Sequence, residues 1–480
     1  MGNPAQPRPF GRRPRRRRAL LAGLMILAAA GWLGRPLLDL PRHFVAPAFA
    51  EDGNGGDGGG EGGDNGGGEG CGSGGDQGGD GGENGGNGSQ KAGSDSGSPP
   101  ASHGDTGIGG RHGDFAAGVV VVVGDRPELL ATAEGLGFRL IDDRPLAALG
   151  LSILRLKTPA HVEPEAGLAM LHRALPQLVA DVNALYEPYK AQSSEVVSLP
   201  APDYARRLIG WSGGDNCGAG FRIGMVDTGI DRSLPALAGQ KLHEQSFLSA
   251  GSLPAGTEHG TAIASLILGR ADAAHPDGGG LMPAADLYAA SIFERHGDRA
   301  EASAFAIAAA LDWLVGQHVP VVNVSLSGDD NALMALAVSR AAARGTILVA
   351  AAGNAGPDAP PAYPAALGEV IAITAIDENE SILAEANRGE YIAFAAPGVR
   401  VWTPGENGLG QYQTGTSFAT PFAAAAVAAE RMAGAPADAA VLRARLAAHA
   451  LDLGPPGRDP TFGFGLIRAT TSCGVSASAQ

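Results

Sequence analysis

Ser417 stands on the first turn of a predicted helix, 417–433, directly after Gly415 and Thr416. The first backbone N–H groups of a helix have no internal partners, and the helix dipole adds positive potential at that end. A serine placed there can attack a carbonyl group while neighbouring N–H groups receive the negative charge that develops. Serine and threonine are also common helix caps, so Ser417 needs chemical partners before it can be interpreted as a nucleophile.

Two upstream segments supply a carboxylate and an imidazole. Asp227 ends a short apolar strand, 221–227, and His259 opens an apolar helix, 259–268. A serine nucleophile needs a base to take its proton, and a carboxylate usually fixes the tautomer of that base. Because active sites of open parallel sheets form beyond the carboxyl ends of the strands, we expect these side chains to meet there.

Asn354 follows a predicted strand, 346–352, in a Gly-Asn-Ala-Gly turn. Asparagine is common in turns, since it tolerates left-handed backbone angles. In the company of a serine, a histidine and an aspartate, we interpret its amide as a donor to the oxyanion that forms when Ser417 attacks.

These segments resemble the signatures of the subtilisin-like serine proteases (subtilases), in the order Asp-Thr-Gly (227–229), His-Gly-Thr (259–261), Gly-Asn (353–354) and Gly-Thr-Ser-x-Ala-x-Pro (415–421). The resemblance extends over about residues 203–472. It implies that Asp227 orients His259, that His259 acts as general base and then acid, that Ser417 is acylated, and that Asn354 is the oxyanion donor.

A further segment, 321–328, is similar to the family strand that pairs with the substrate backbone. The resemblance implies that it also lines the pocket for the side chain before the cleaved bond. The predicted substrate-binding residues are Ser325, Leu326, Ser327 and Gly328. The family usually has glycine where Ser327 stands.

Residues 1–50 have the composition of an export signal. Residues 1–18 hold seven arginines and no acidic residue, and an apolar stretch follows. Ala48-Phe49-Ala50 is a candidate cleavage site. A cleaved signal predicts a periplasmic or secreted protein, and the alternative is a membrane anchor over residues 19–34 with the protease outside the cytoplasm.

Residues 51–114 are predicted to be a disordered tether rich in glycine and acids. Positions 51–90 contain 22 glycines and nine aspartates or glutamates, too little apolar surface to offset the entropy of ordering. Beyond residue 50, 26 lysines and arginines stand against 49 aspartates and glutamates, a net charge of −23. This charge argues against nucleic acid or an anionic membrane surface as a partner.

The chain has three cysteines. In an oxidising compartment Cys217 and Cys473 can form a disulfide that ties the two ends of the catalytic region. Two unpaired thiols are the alternative, because the distance between the residues cannot be obtained from the sequence. Cys71, in the tether, is left over from this pair and is either a free thiol or bonded to another molecule.

Residues 115–188 predict a small α+β unit. The segments 118–124, 138–141, 149–156 and 180–186 are predicted strands, and 127–135 and 164–175 are predicted helices. The order β-α-β-β-α-β is that of a ferredoxin-like plait. By position it resembles the subtilase propeptide, which assists folding and inhibits the enzyme by occupying its cleft. A permanent accessory domain is the alternative.

Residues 189–202 form a polar linker, in which we expect self-cleavage near Lys190 to Val196. In the catalytic region 203–472, before a tail over 473–480, strands and helices alternate. That alternation predicts an α/β fold, a mostly parallel sheet with helices on both faces. The predicted strands are 221–227, 285–292, 321–327, 346–352, 370–376 and 392–396, and the predicted helices are 259–268, 303–317, 332–344, 417–433 and 437–450.

The predicted function is that of an exported serine endopeptidase acting on protein or peptide substrates, with its own prodomain as intramolecular inhibitor. The alternatives are an inactive peptide-binding pseudoprotease and a membrane-anchored processing protease. No cofactor is predicted. Family members often bind structural calcium, but the loop 271–283 carries only two carboxylates, Asp272 and Asp277, so no metal site is assigned.

Overall fold

The computed structural model describes residues 115–124, 127–188, 199–271, 279–405, 410–470 and 473. All of them belong to one compact unit, His103–Gln480. The predictions for the export signal or anchor, the tether, Cys71 and the self-cleavage segment concern residues outside these ranges.

Residues 115–188 contain a four-stranded antiparallel sheet with two helices. The elements are β1 (Phe115–Val123), α1 (Pro127–Gly135), β2 (Arg139–Leu146), β3 (Leu151–Lys157), α2 (Pro164–Ala174) and β4 (Ala180–Pro188). The strand order β2-β3-β1-β4 is that of a ferredoxin-like plait. We refer to residues 115–188 as the plait.

The run of five valines in β1 reflects burial on both faces of this sheet. Val120 and Val122 pack with apolar residues of α1 and α2, whereas Val121 belongs to a core cluster shared with the catalytic region. Successive side chains of a strand point to opposite faces. An uninterrupted apolar strand is therefore the pattern expected of a sheet covered on both sides.

The catalytic region adds the remaining elements. They are α3 (Tyr204–Leu208), β5 (Arg222–Asp227), β6 (Leu242–Ser246), α4 (Glu258–Leu268), β7 (Asp286–Ser291), β8 (Glu294–His296), β9 (Arg299–Ser303), α5 (Ala304–Gly316), β10 (Val321–Val324), β11 (Leu326–Ser327), α6 (Ala332–Ala343), β12 (Ile347–Ala351), β13 (Val370–Ile376), β14 (Ile392–Pro397), β15 (Val401–Pro404), β16 (Gly410–Gln413), α7 (Thr416–Met432) and α8 (Ala439–Ala447).

A seven-stranded parallel sheet in the order β14-β13-β12-β10-β5-β7-β6 forms the centre of the catalytic region. Its strands alternate between two apolar layers: Ile371 and Ile373 pack in the cluster that contains α4, α7 and α8, and Val370 and Ala372 in the cluster that contains α5 and α6. The predicted α/β fold with helices on both faces is confirmed.

The elements that the sequence did not predict are short or polar. β6 has four exposed residues out of five and lies at the sheet edge, so its sequence lacks an apolar period. β8 and β9 form a charged hairpin, and the predicted strand 321–327 is divided into β10 and β11. β4 lies between β9 and β11 and is antiparallel to both, which makes the sheet of the plait continuous with the edge of the catalytic region.

Cys217 and Cys473, whose pairing the sequence left undecided, form a disulfide. It joins residues that are 256 positions apart in the sequence, close to the two ends of the catalytic region.

Candidate active site

The carboxyl end of β5 and the first turn of α4 bring Asp227 and His259 together. Their Oδ1 and Nδ1 atoms lie 2.7 Å apart, and Asp227 is fully buried. Because an ionised carboxylate only accepts hydrogen bonds, this contact places the imidazole proton on Nδ1. The other nitrogen, Nε2, is then an acceptor, and it is buried with no hydrogen-bond partner among the residues that the structure describes.

The small residues that follow Asp227 and His259 in the sequence make hydrogen bonds that hold the end of β5 against α4. The Gly260 N–H donates to the Thr228 hydroxyl at 2.8 Å, and the Asp231 N–H donates to the Thr261 hydroxyl at 2.8 Å. A Cβ atom at Gly260 would lie 2.5 Å from the Thr228 carbonyl oxygen, so only glycine fits there. The Asp-Thr-Gly and His-Gly-Thr segments therefore position one another.

Ser417 is the second residue of α7 and is buried. Gly415 precedes the helix with φ of 151°, a backbone conformation that residues other than glycine rarely adopt. Pro421 has no N–H to donate to the Ser417 carbonyl, and the Ser325 hydroxyl donates to that oxygen instead, at 3.3 Å. The His259 ring lies beside the same turn, with its centroid 5.3 Å from that of Phe418.

Asn354 lies at the start of α7. Its Oδ1 accepts the Thr416 N–H at 3.0 Å, and the Thr416 hydroxyl accepts the Gly353 N–H at 3.3 Å. Because Oδ1 is engaged, the Nδ2 group of Asn354 remains the donor. The turn is held from behind by Asn387, whose Oδ1 accepts the Ala355 N–H at 2.8 Å.

The four residues predicted to bind substrate differ in what they present. Ser325 and Leu326 are buried while the plait is docked, and Leu326 belongs to the same apolar cluster as Tyr186 of β4. Ser327 is partly buried in β11. Gly328 lies against Tyr186 of the plait, where an added Cβ would come within 2.4 Å of the ring.

The groove between β9 and β11 holds the last residues of β4. Leu185 and Tyr186 are opposite Ser303 and Ala302 of β9, and Glu187 and Pro188 are opposite Ser327 and Leu326 of β11. The Tyr186 ring is fully buried, and its hydroxyl donates to the Asp329 carbonyl at 3.0 Å. Burial also raises the pKa of Tyr186 well above its usual value. The plait thus ends one residue from Ser325, which contacts Ser417.

Asn323, Asn387, Thr416 and Thr228 are polar residues that support the site and were not predicted. Asn323 is fully buried, and its Nδ2 donates to the Ser325 hydroxyl at 2.8 Å. The available signal was an amide inside an otherwise apolar strand, Val321-Val322-Asn323-Val324, since a buried polar group needs a partner. Thr416 and Thr228 resembled ordinary cap and turn residues.

The described residues contain no group of three or more histidine, cysteine, aspartate or glutamate side chains that could hold a metal ion. Asp272 and Asp277 lie outside them, so structural calcium stays untested. Within the described part of the chain, no helix is both long and apolar enough to traverse a bilayer.

Comparisons with known proteins agree with this geometry. The model of the subtilase family matches residues 218–465. The chain is 31% identical over 264 residues to the minor extracellular protease Epr of Bacillus subtilis, which covers 55% of this chain and 40% of Epr. It is 32% identical over 268 residues to subtilisin DY of Bacillus licheniformis, covering 55% of this chain and 92% of that protein.

Among solved structures, fervidolysin from Fervidobacterium pennivorans, described as a keratinolytic enzyme related to subtilisin, superposes with a TM-score of 0.61 at 22% identity. The alignment covers 75% of this chain and 61% of fervidolysin, so the likeness concerns the fold. This chain spans about two fifths of the length of Epr.

Proposed function

The chain belongs to the subtilase family, and from that premise we propose that it is an exported serine endopeptidase acting on protein or peptide substrates. The observation that carries the proposal is the contact between the buried Asp227 and His259 beside the first turn of α7, where Ser417 stands. Every residue type needed for acyl transfer is present around one sheet edge.

The reaction proceeds through an acyl-enzyme. His259 Nε2 takes the proton from the Ser417 hydroxyl as its oxygen attacks the peptide carbonyl carbon, and Asp227 stabilises the imidazolium that forms. The imidazolium then protonates the leaving amine. Water, deprotonated by the same nitrogen, attacks the acyl group, and Ser417 regains its proton.

The negative charge on the carbonyl oxygen is met by Asn354 Nδ2 and by the positive end of α7. The Thr416–Asn354 hydrogen bond supports this role, because it holds the amide in one orientation before substrate binds. A donor that is already in place costs no reorganisation during the reaction.

The plait acts as an intramolecular inhibitor that leaves the cleft after self-cleavage. In support, β4 takes the place of a substrate strand between β9 and β11, with Pro188 as the last of its described residues. The bond that is cut lies in the linker beyond Pro188, near Lys190 to Val196. N-terminal sequencing of the purified enzyme tests this step, and a fully active intact chain would contradict it.

The protease works outside the cytoplasm, as a periplasmic or secreted enzyme. The basic and apolar residues 1–50 and the acidic remainder of the chain support export, and Epr is an extracellular protease by name. An enzyme that stays in the membrane fraction through residues 19–34 is the outcome that would replace secretion with anchoring.

Labelling with a fluorophosphonate probe tests the chemistry. The wild-type chain, freed of its plait by self-cleavage, should become labelled at Ser417 and should hydrolyse a casein substrate. Ser417→Ala should do neither, and Ser265→Ala is the matched control, since it removes a buried hydroxyl that bonds within α4 but keeps the nucleophile. A folded wild type that is not labelled would support the peptide-binding pseudoprotease instead.

A further inference from the structure

The groove between β9 and β11 is bordered by main-chain edges that need a strand between them. β4 supplies that strand in the intact chain. When β4 leaves, a substrate segment can satisfy the same edges by adding as a strand. The side chains of β4 therefore show which groups of the catalytic region a substrate would meet at each position.

Glu187 occupies a defined position in this register. It lies opposite Ser327, between the buried Tyr186 and Pro188, and its side chain is half exposed. Tyr186 fixes the register, because its ring fills the space left by Gly328. A shift of one residue would turn the ring out of that space.

Arg299 of β9 contacts Glu187 across the groove. Its Nε donates to Glu187 Oε1 at 2.7 Å, and a terminal nitrogen of the guanidinium lies 2.5 Å from the same oxygen. The same Nε also lies 3.2 Å from Oε1 of the buried Glu301. The guanidinium therefore has an acidic partner within the catalytic region as well as Glu187 of the plait.

We propose that Arg299 is a specificity-determining residue that makes the enzyme favour substrates with a carboxylate side chain at the position of Glu187, opposite Ser327. The inference rests on the proposed function and adds a substrate class to it: segments with an acidic residue shortly before the cleaved bond. Arg299 also balances the charge of Glu301, and a purely structural role of that kind would not depend on the substrate.

The preference has a limited size because the Arg299–Glu187 pair is half exposed. Exposed ion pairs contribute about 0.2–1 kcal/mol, which corresponds to a change of roughly 1.4- to 5-fold in a rate ratio. Opposite charges attract and like charges repel over the same distance, so replacing the acid by a base should change the ratio further than replacing it by a neutral residue.

Three internally quenched peptides with the sequence of residues 182–194 test the proposal. They carry Glu, Gln or Lys at the position of Glu187 and are given to the full chain after it has processed itself. We expect kcat/KM to fall about 1.4- to 5-fold from Glu to Gln and further to Lys. Arg299→Gln should equalise the three rates, and Arg299→Glu should reverse their order. Sodium chloride at 0.5 M should reduce the differences, since salt screens exposed charges.

Arg295→Gln is the matched control, because Arg295 is an exposed arginine on the same β8–β9 hairpin, opposite Ala300. It should keep the wild-type order. Equal cleavage of the three peptides by the wild type, or an order unchanged in Arg299→Glu, would overturn the inference alone. Fluorophosphonate labelling of Ser417 without cleavage of any peptide would overturn it too. Cleavage of a peptide bond on the N-terminal side of the Pro188 position would have the same consequence. The absence of both labelling and cleavage would overturn the proposed function as well.

Discussion

The first turn of α7 and the end of β4 border the same groove, but different forces hold them. Short side chains hold α7, through the bonds that Asn354 and the buried Ser325 and Thr416 make. β4 is held by backbone pairing and the buried ring of Tyr186, with side-chain contacts from Asp181 and Glu187. The groups that we propose to react are therefore built into the catalytic region, while the strand pairing that docks β4 can be replaced by another strand.

If the two regions are separate in this way, changes near Asp227 should affect catalysis and leave the plait docked. Asp227→Asn should lower kcat by about 10⁴-fold, because an amide nitrogen cannot accept the Nδ1 proton and would favour the wrong tautomer. Hydrolysis of a chromogenic peptide measures the loss.

Glu244→Gln is the control for Asp227→Asn. Glu244 accepts the Ile230 N–H at 3.1 Å, and glutamine keeps an acceptor there. Its activity should stay close to that of the wild type. An equal loss in both variants would mean that the effect of Asp227→Asn comes from a general disturbance of the β5 region.

Changes in β4 should weaken docking of the plait and leave the catalytic groups unaffected. Tyr186→Ala should weaken docking of the plait by about 3–5 kcal/mol, since it removes a fully buried ring. Amide hydrogen exchange of β4 and β11 measures this in the full chain carrying Ser417→Ala, which keeps the chain uncut.

Tyr186→Phe removes only the hydrogen bond to the Asp329 carbonyl. It should cost about 1 kcal/mol and thus serves as the matched control. If Tyr186→Ala left the exchange of both strands unchanged, the ring would not be the anchor of the plait.

Substitutions of Asn354 separate two roles of its side chain at the start of α7. One is the hydrogen bond that Oδ1 accepts from the Thr416 N–H, and the other is the donation by Nδ2 to the oxyanion. Asn354→Ala should lower kcat by about 10²–10³-fold with little change in KM, the effect of removing an oxyanion donor. Asn354→Asp keeps an acceptor for the Thr416 N–H but lacks the Nδ2 donor. A similar loss in both variants assigns the effect to the donor, and a normal kcat in Asn354→Asp would reject that role.

The smallest expected effect is the pH dependence of docking through Asp181. Its carboxylate accepts the Ala332 N–H at the start of α6, at 2.7 Å. Burial raises the pKa of Asp181 above its usual 3.8; the hydrogen bonds from Ala332 and Val182 and the charge of His172 act against this, while that of Asp330 adds to it.

A pKa that is higher in the docked state means that the docked state binds the proton more tightly. Docking should therefore be strongest below the ordinary aspartate pKa and weaken as pH rises through the higher docked value. Thermal unfolding of the Ser417→Ala chain between pH 3 and 7 measures the slope. Asp181→Asn should flatten it, and an unchanged slope would assign the dependence to other groups.

The sequence predicted the long apolar elements better than the short polar ones. Ser417, His259 and Asp227 were identified because each follows or opens a strongly apolar segment, and such segments form strands and helices with little ambiguity. β6, β8 and β9 were missed because they are three to five residues long and carry charged or polar residues. Their conformation depends on the strands they pair with, so local sequence carries little signal.

The sequence alone determined the family resemblance, the α/β alternation and the residue types that can transfer an acyl group, since each depends on spacing within a short segment. Only the tertiary structure decided that Cys217 bonds to Cys473, that Asn323 supports Ser325, and that Glu187 meets Arg299. The pairs Cys217–Cys473 and Glu187–Arg299 join residues more than 100 positions apart, and such contacts depend on how strands pair and elements pack rather than on any local period. The register of β4 decides which of its side chains faces Arg299.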